Sequence, residues 1–285
     1  MKRPTLRWHG GKFVLADWII SQLPAHRIYV EPFGGAASVL LKKSRAYAEI
    51  YNDLNDDLYN FFLALRDRPE ELKRALALTP FSRREFELAH VNHPESIEKA
   101  RRLIIRSFMG FGSDTASNIE RSTGFRSNSS RSGTTPAHDW MNYPEAIDEF
   151  AERLKGVTIE NRDAFECMQA HDSPETLHYI DPPYVPETRK RVGAYRHEFS
   201  LADHAKLLKF LDTLRGSIVL SGYASEIYST SLKSWVCVKR EAMADGARPR
   251  TEILWIRASE FALNNNQISQ LVFEEGHNEH YPLFP

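Results

Sequence analysis

Apolar positions along the chain follow two rhythms. Short apolar runs at Arg27 to Glu31, Ala46 to Tyr51, Val157 to Glu160, Thr176 to Ile180 and Ser217 to Ser221 read as buried strands. Longer stretches with helical spacing lie between them. Phe13 to Leu23 reads as an amphipathic helix stopped by Pro24, and Leu54 to Arg66 and Pro144 to Leu154 read as two more. Ser200-Leu201-Ala202-Asp203 resembles a capping box and starts a helix to Leu214. Strands alternating with helices predict an α/β fold with a mostly parallel sheet. Trp235 to Val238 and Glu252 to Ile256 are joined by a connection that leaves no room for a helix, so they predict an antiparallel hairpin at one edge.

Two stretches break this alternation. Pro69 to Met109 reads as helices only, with Pro69 and Ser82 as starts and Pro80 and Pro94 as breaks. Gly110 to Asn142 is rich in Gly, Ser, Thr, Asn and Arg, with Phe111, Phe125 and Trp140 among them. It is too long for an ordinary connection. The layout expected is a catalytic domain over 1–66 and 143–260, a helical and loop insert over 67–142, and a tail over 261–285. Arg with polar side chains suits contacts to phosphates and base edges, so the insert reads as a sequence-reading segment; the alternative is a flexible linker.

The candidate chemistry sits where strands end. The run Thr176 to Ile180 delivers Asp181-Pro182-Pro183-Tyr184. Two prolines fix the backbone and remove two N–H donors. The Asp181 carboxylate and the carbonyls of Asp181 and Pro182 then form a stiff set of acceptors, with the Tyr184 ring beside them. Such a set suits a planar group carrying an exocyclic NH2; the alternative is a turn with a tyrosine in the core. Arg27 to Glu31 runs into Pro32-Phe33-Gly34-Gly35-Ala36-Ala37-Ser38, a strand, a Gly-rich turn and a helix, as in the first unit of a nucleotide-binding sheet. Asp53 ends the second strand, about 20 residues on, where a carboxylate accepts from both hydroxyls of a ribose. Its other reading is a cap for the following helix, a task open to Asn55 or Asp56. Trp8-His9-Gly10-Gly11-Lys12 resembles half of a phosphate loop without the full spacing. Lys12 meets a carboxylate in one reading, and the segment is a plain turn in the other.

Composition adds bounds. With 285 residues, 42% of them hydrophobic, the chain suffices for one large domain or a domain with an insertion. Cys167 and Cys237 form no CxxC, which argues against a disulfide scaffold and a zinc knuckle, and no metal site is indicated. The N-terminus has no apolar signal core, and no run approaches ~18 apolar residues, so a cytoplasmic setting without a membrane is expected. The net charge is −1, yet Arg101, Arg102, Arg106, Arg121, Arg126 and Arg131 cluster together, and Arg189, Lys190, Arg191 and Arg196 follow the Asp181 stretch. A basic face on a neutral protein points to nucleic acid; solvated loops are the alternative.

Taken together, Trp8 to Lys12, Glu31 to Ser38, Asn52-Asp53 and Asp181 to Tyr184 resemble the Dam-type (D12 class) DNA adenine-N6 methyltransferases, over about residues 5 to 257. The order of the motifs matches as well. The turn departs from the family pattern in reading Gly35-Ala36-Ala37. The resemblance implies a Rossmann-like methyltransferase fold, S-adenosylmethionine as cofactor and double-stranded DNA as partner, with no obligate protein partner. It implies that Trp8 and Lys12 line the cofactor pocket, Lys12 near the methionine carboxylate. Glu31, Pro32, Phe33, Gly34, Gly35 and Ala36 would hold the methionine portion, and Asp53 the ribose. Asp181 would lie between cofactor and target amine, with Pro182 accepting from the amine and Tyr184 stacking on the base. Arg121, Arg126, Arg131, Arg189 and Lys190 are the expected DNA contacts. Methylation of another planar NH2 (cytosine N4, RNA adenine, protein glutamine) and a non-catalytic DNA-binding protein of this fold stay open at this point.

Overall fold

Five apolar runs and one hairpin build the sheet. In the computed structural model, which describes residues 1–112, 124–127, 134–188, 199–244 and 248–265, the strands are β1 (Ile28–Glu31), β2 (Ala48–Asn52), β3 (Val157–Glu160), β4 (Thr176–Ile180), β5 (Ser217–Gly222), β6 (Val236–Ala244) and β7 (Arg248–Arg257). Their order is β3-β2-β1-β4-β5-β7-β6. β1 to β5 pair in parallel, and β7 runs antiparallel to both β5 and β6. The expected α/β fold with an antiparallel edge hairpin is therefore present. The hairpin is longer than its sequence suggests, because β6 continues past Val238 and β7 starts before Glu252. The central strands are buried on both faces: every residue of β4 and β5 is buried. That explains their continuous apolar character.

Helices cover the sheet: α1 (Ala16–Ser21), α2 (Ser38–Lys42), α3 (Asp56–Asp67), α4 (Pro69–Ala77), α5 (Arg83–Leu88), α6 (Ser96–Met109), α7 (Pro136–Met141), α8 (Ile147–Leu154), α9 (Ala164–Ala170), α10 (Leu201–Leu211), α11 (Glu226–Ser231) and α12 (Glu260–Asn264). Several begin where the sequence signals it. Ser82 caps α5, Asn55 caps α3, and Ser200 with Asp203 forms the full capping box of α10. The first helix is shorter than the expected Phe13 to Leu23, because residues 13–15 are still in turns. α4 packs on α3 and α8, α6 packs on α3 and α4, and α5 packs on α6; their apolar faces join the core that also contains Tyr29, Tyr51 and Leu177 of the sheet. α7 lies within the stretch read as loop. Thr135 caps it, and Trp140 closes over the core, its indole N–H donating to the Thr79 carbonyl at 2.9 Å. Among the described residues no helix is long and apolar enough to cross a membrane.

One buried ionic cluster fixes α2 against the sheet. Glu49 on β2 accepts from Lys43 at 2.8 Å and from Arg153 at 2.6 and 2.9 Å, while Arg153 also donates to the Leu40 carbonyl at 2.6 Å. The Lys43 and Glu49 side chains are almost wholly buried. Burial pushes the Lys43 ammonium below its ordinary range, and Glu49 opposes that shift. Removing one partner strands the other charge in a medium that solvates it poorly. Glu49→Ala is expected to lower unfolding stability by about 3–5 kcal/mol in urea titration; a loss under ~1 kcal/mol would contradict this role.

Candidate active site

The sheet order reverses between β1 and β4, since β1 leads outward through β2 to β3 and β4 leads the other way through β5. Helices leaving neighbouring strands on opposite sides open a crevice at such a point, beyond the strands' carboxyl ends. A cavity of about 570 Å³ lies there. Trp8, Lys12, Glu31, Pro32, Phe33, Gly34, Gly35, Ala36, Asp53, Asp181 and Pro182 all line it. These residues come from the N-terminal loop and from the ends of β1, β2 and β4.

The Gly-rich turn after β1 is shaped by close approach. A Cβ on Gly34 would stand 2.1 Å from the Tyr51 ring. Tyr51 is wholly buried and its hydroxyl donates to the Gly35 carbonyl at 2.9 Å, so the ring has nowhere to go. Gly35 has φ +50° and faces Trp8, whose ring would lie 3.2 Å from a Cβ there. Ala37 also holds a left-handed conformation, φ 53°, and is the single non-glycine residue to do so among those described. This residue carries backbone strain of about 1–2 kcal/mol next to the cavity.

Asp53 ties two loops together. Its Oδ2 accepts from the Gly35 N–H and its Oδ1 from the Asn55 N–H, each at 2.8 Å. The cap of α3 is Asn55, whose side chain accepts from the Asp57 N–H. Of the two readings of Asp53, the structure thus leaves the helix cap to Asn55 and keeps Asp53 at the cavity. Glu31 is buried; its Oε2 accepts from the Tyr29 hydroxyl at 2.8 Å and the Leu40 N–H at 3.0 Å. Burial pushes its carboxyl up to about 8 against those two donors.

Lys12 reaches across the crevice to β4. Its ammonium donates to Asp181 Oδ2 at 2.7 Å and to the Gly10 carbonyl at 2.9 Å. Of the two readings of Lys12, the carboxylate partner is the one observed. Asp181 Oδ1 accepts no hydrogen bond from the described residues. Burial pushes the Asp181 carboxyl up, Lys12 pulls it down and nearby Glu252 raises it, for a result of about 6. Tyr184 lies behind Lys12, with its ring 4.7 Å from the ammonium and edge-on to Tyr223 at 4.5 Å. Its hydroxyl donates to Glu252. Burial holds this phenol well above its ordinary range, so it stays a donor.

Several residues of the site receive no role in the sequence reading. Arg162, Asp163, Ala164 and Phe165 form one wall of the cavity, at the start of α9, a helix the reading missed. Phe199 lies on Phe33, ring to ring at 5.8 Å. Glu252 was read only as the start of a strand. A charge beside the apolar run Ile253 to Ile256 was the available clue. Of the expected DNA contacts, Arg126 is half-buried and its N–H donates to the Met109 carbonyl at 2.8 Å. Arg121, Arg131, Arg189 and Lys190 lie outside the described residues.

A parallel sheet with an antiparallel edge hairpin, a glycine turn after β1, an acid after β2 and an acid-proline turn after β4 defines a Rossmann-like methyltransferase. The chain belongs to the D12 class N6 adenine-specific DNA methyltransferase family, whose sequence profile matches residues 8–243. It is 27% identical over 264 residues to the Type II methyltransferase M1.LlaDCHI of Lactococcus lactis subsp. cremoris, covering 84% of this chain and 88% of that one. It is 28% identical over 239 residues to a DNA adenine methylase of Serratia marcescens, covering 79% and 85%. A DNA adenine methylase of Escherichia coli (strain K12) is 27% identical over 221 residues, covering 74% and 76%. The protein is thus an adenine-specific DNA methyltransferase, and the family implies use of S-adenosylmethionine.

The turn geometry gives a direct test. Gly34→Ala must displace the Tyr51 ring or the turn. It is expected to cost about 1–3 kcal/mol of stability and to weaken S-adenosylmethionine binding at least about tenfold by calorimetry. Wild-type affinity would show that the turn does not shape the cofactor site.

Proposed function

We propose that the cavity binds S-adenosylmethionine and that the chain transfers its methyl group to N6 of an adenine rotated out of double-stranded DNA. The observation that carries this reading is the shared cavity: Asp181, paired with Lys12 at 2.7 Å, lines the same space as Asp53 and the glycine turn. The residues fit the cofactor. Gly34 and Gly35 leave the room a Cβ would fill, and the volume suits a nucleoside ligand. The Asp53 carboxylate accepts from the Gly35 and Asn55 N–H groups, and a carboxylate's four lone-pair sites suit the two hydroxyls of a ribose. Phe33, Phe165 and Phe199 offer flat apolar surface for a purine. Trp8, Glu31, Pro32 and Ala36 complete the walls around the amino-acid end, with Lys12 as the cation for its carboxylate.

When bound, the cofactor supplies an electrophilic methyl carbon on a sulfonium. The chain's own groups do the rest. A target base leaves the stack at a cost of a few kcal/mol. Tyr184 does not line the cavity and its ring lies under Lys12, so the stacking proposed for it, worth about 1–3 kcal/mol, requires that the base displace the ammonium from the ring. Asp181 Oδ1 and the Pro182 carbonyl accept the N6 hydrogens and localise the nitrogen lone pair. No enzyme nucleophile and no metal take part in this scheme; positioning and fixed charge supply the rate. Arg121, Arg126, Arg131, Arg189 and Lys190 are proposed to contact the DNA, and the 67–142 insert to read its sequence. A DNA substrate implies work in the cytoplasm.

Base-resolved mapping of methyl-labelled duplex DNA tests the reading. Label is expected in N6-methyladenine. Asp181→Asn is expected to stay folded and to lose on the order of 10²-fold or more in single-turnover rate. Label in N4-methylcytosine, or wild-type turnover by Asp181→Asn, would reject it. The ionised Asp181 is the working form, and its carboxyl titrates at about 6. The rate is therefore expected to hold above that pH and to fall about tenfold per unit below it. A rate unchanged down to pH ~5 would contradict the assignment.

A further inference from the structure

We infer that Glu252 is a positioning residue for methyl transfer: its buried carboxylate holds the Tyr184 hydroxyl and, with Asp181, brackets the Lys12 ammonium. The inference rests on the reading of Asp181 and Tyr184 given above. Glu252 lies on β7, and because β7 runs against β5 its first half reaches the carboxyl ends of the parallel strands. It is 3% exposed and is followed by buried Ile253, Leu254, Trp255 and Ile256. An ionised carboxylate in such a place is unfavourable unless hydrogen bonds and a cation satisfy it.

Two of the partners of Glu252, Lys12 and Tyr184, have a part in the reading above, and the third, Ser221, lies on β5. Glu252 Oε1 accepts from Ser221 Oγ at 2.8 Å and from the Tyr184 hydroxyl, and stands 3.9 Å from Lys12 Nζ. Packing alone has no use for this arrangement, since an apolar side chain would fill the slot with less desolvation. Two consequences follow. The Tyr184 ring is fixed at three places: its hydroxyl on Glu252, its edge on Tyr223 and its face under Lys12. Lys12 also divides its charge between two carboxylates, one at 2.7 Å and one at 3.9 Å. Asp181 is then not neutralised by its own ion pair, and its Oδ1 keeps the negative potential needed to accept from an amine.

The pH profile separates positioning from mere structural support. Asp181 is faced by Lys12 from the N-terminal loop, Glu31 from β1, Tyr179 on its own strand, Tyr184 in its own turn, Tyr223 and Tyr228 beyond β5, and Glu252 from β7. Of the two carboxylates among these, Glu252 is the one that also touches Lys12 and Tyr184. Glu252→Gln keeps an acceptor for Tyr184 and Ser221 but removes the charge.

The experiment uses the full chain, duplex DNA with a mapped target adenine, and S-adenosylmethionine. For Glu252→Gln we expect cofactor affinity within about threefold of wild type, a plateau single-turnover rate lowered about tenfold or more, and an acid limb displaced to lower pH by roughly half a unit or more. A wild-type plateau and limb would overturn the inference, as would a rate loss that only tracks the folded fraction. Tyr184→Phe keeps the ring and removes the donor, and decides the matter if Glu252→Gln does not fold. A rate lowered about tenfold with DNA affinity within about threefold supports the link, and a wild-type rate overturns it. Asp181→Asn tells the two readings apart. Full activity in that variant sinks the site assignment itself, whereas an inactive Asp181→Asn beside a wild-type Glu252→Gln sinks only the role of Glu252.

Discussion

A lysine and an aspartate 169 residues apart meet at 2.7 Å with little water around them, and the site is built on that contact. Burial pushes the Asp181 carboxyl up, and Glu252 pushes in the same direction. Lys12 pulls the other way. The balance leaves a carboxylate that is ionised at neutral pH yet more basic than one in water, which suits a group that must accept from a weakly acidic amine. The pair also joins the N-terminal loop to the end of β4, and so closes one side of the cavity across the sheet's reversal point.

The other parts of the site serve that geometry. The strands lie in register, so Glu31 of β1 pairs with Tyr51 of β2, beside the segment that leads to Asp53. Asp53 grips the turn through the Gly35 N–H, and Tyr51 grips it through the Gly35 carbonyl. With the N–H and the carbonyl of Gly35 both held, the turn tolerates a left-handed Ala37 where a glycine would relax. On the far side, the buried cluster of Lys43, Glu49 and Arg153 anchors the end of α2, the helix that the turn feeds. The glycine turn and the N-terminal loop that line the cavity are each tied to a strand or strand end behind them.

Much of this was legible in the sequence, and the limits have physical causes. Strands buried on both faces announce themselves as apolar runs, and a strand's last residue is easy to locate when proline or glycine follows. That is why Glu31 and Asp181 stand out in the sequence; Asp53, followed by Leu54, stands out by its spacing from the glycine turn instead. α7 and α9 were missed because each is a single short turn or two whose helicity comes from a cap and tertiary packing, with little periodic signal. The hairpin was underestimated because β6 and β7 extend through polar residues, where alternation fades. The charge of Glu252 beside an apolar run was visible, but its partners were not. Its meaning depends on Tyr184, 68 residues away, and on an antiparallel pairing whose register the sequence does not display.

The most direct test of the central contact is the titration of Asp181 itself, followed through the carboxyl carbon by NMR in wild type and in Lys12→Gln. The account predicts a midpoint of about 6 in the free protein, moving upward when the ammonium is removed. An ordinary carboxylate midpoint near ~4 that ignores Lys12 would contradict it.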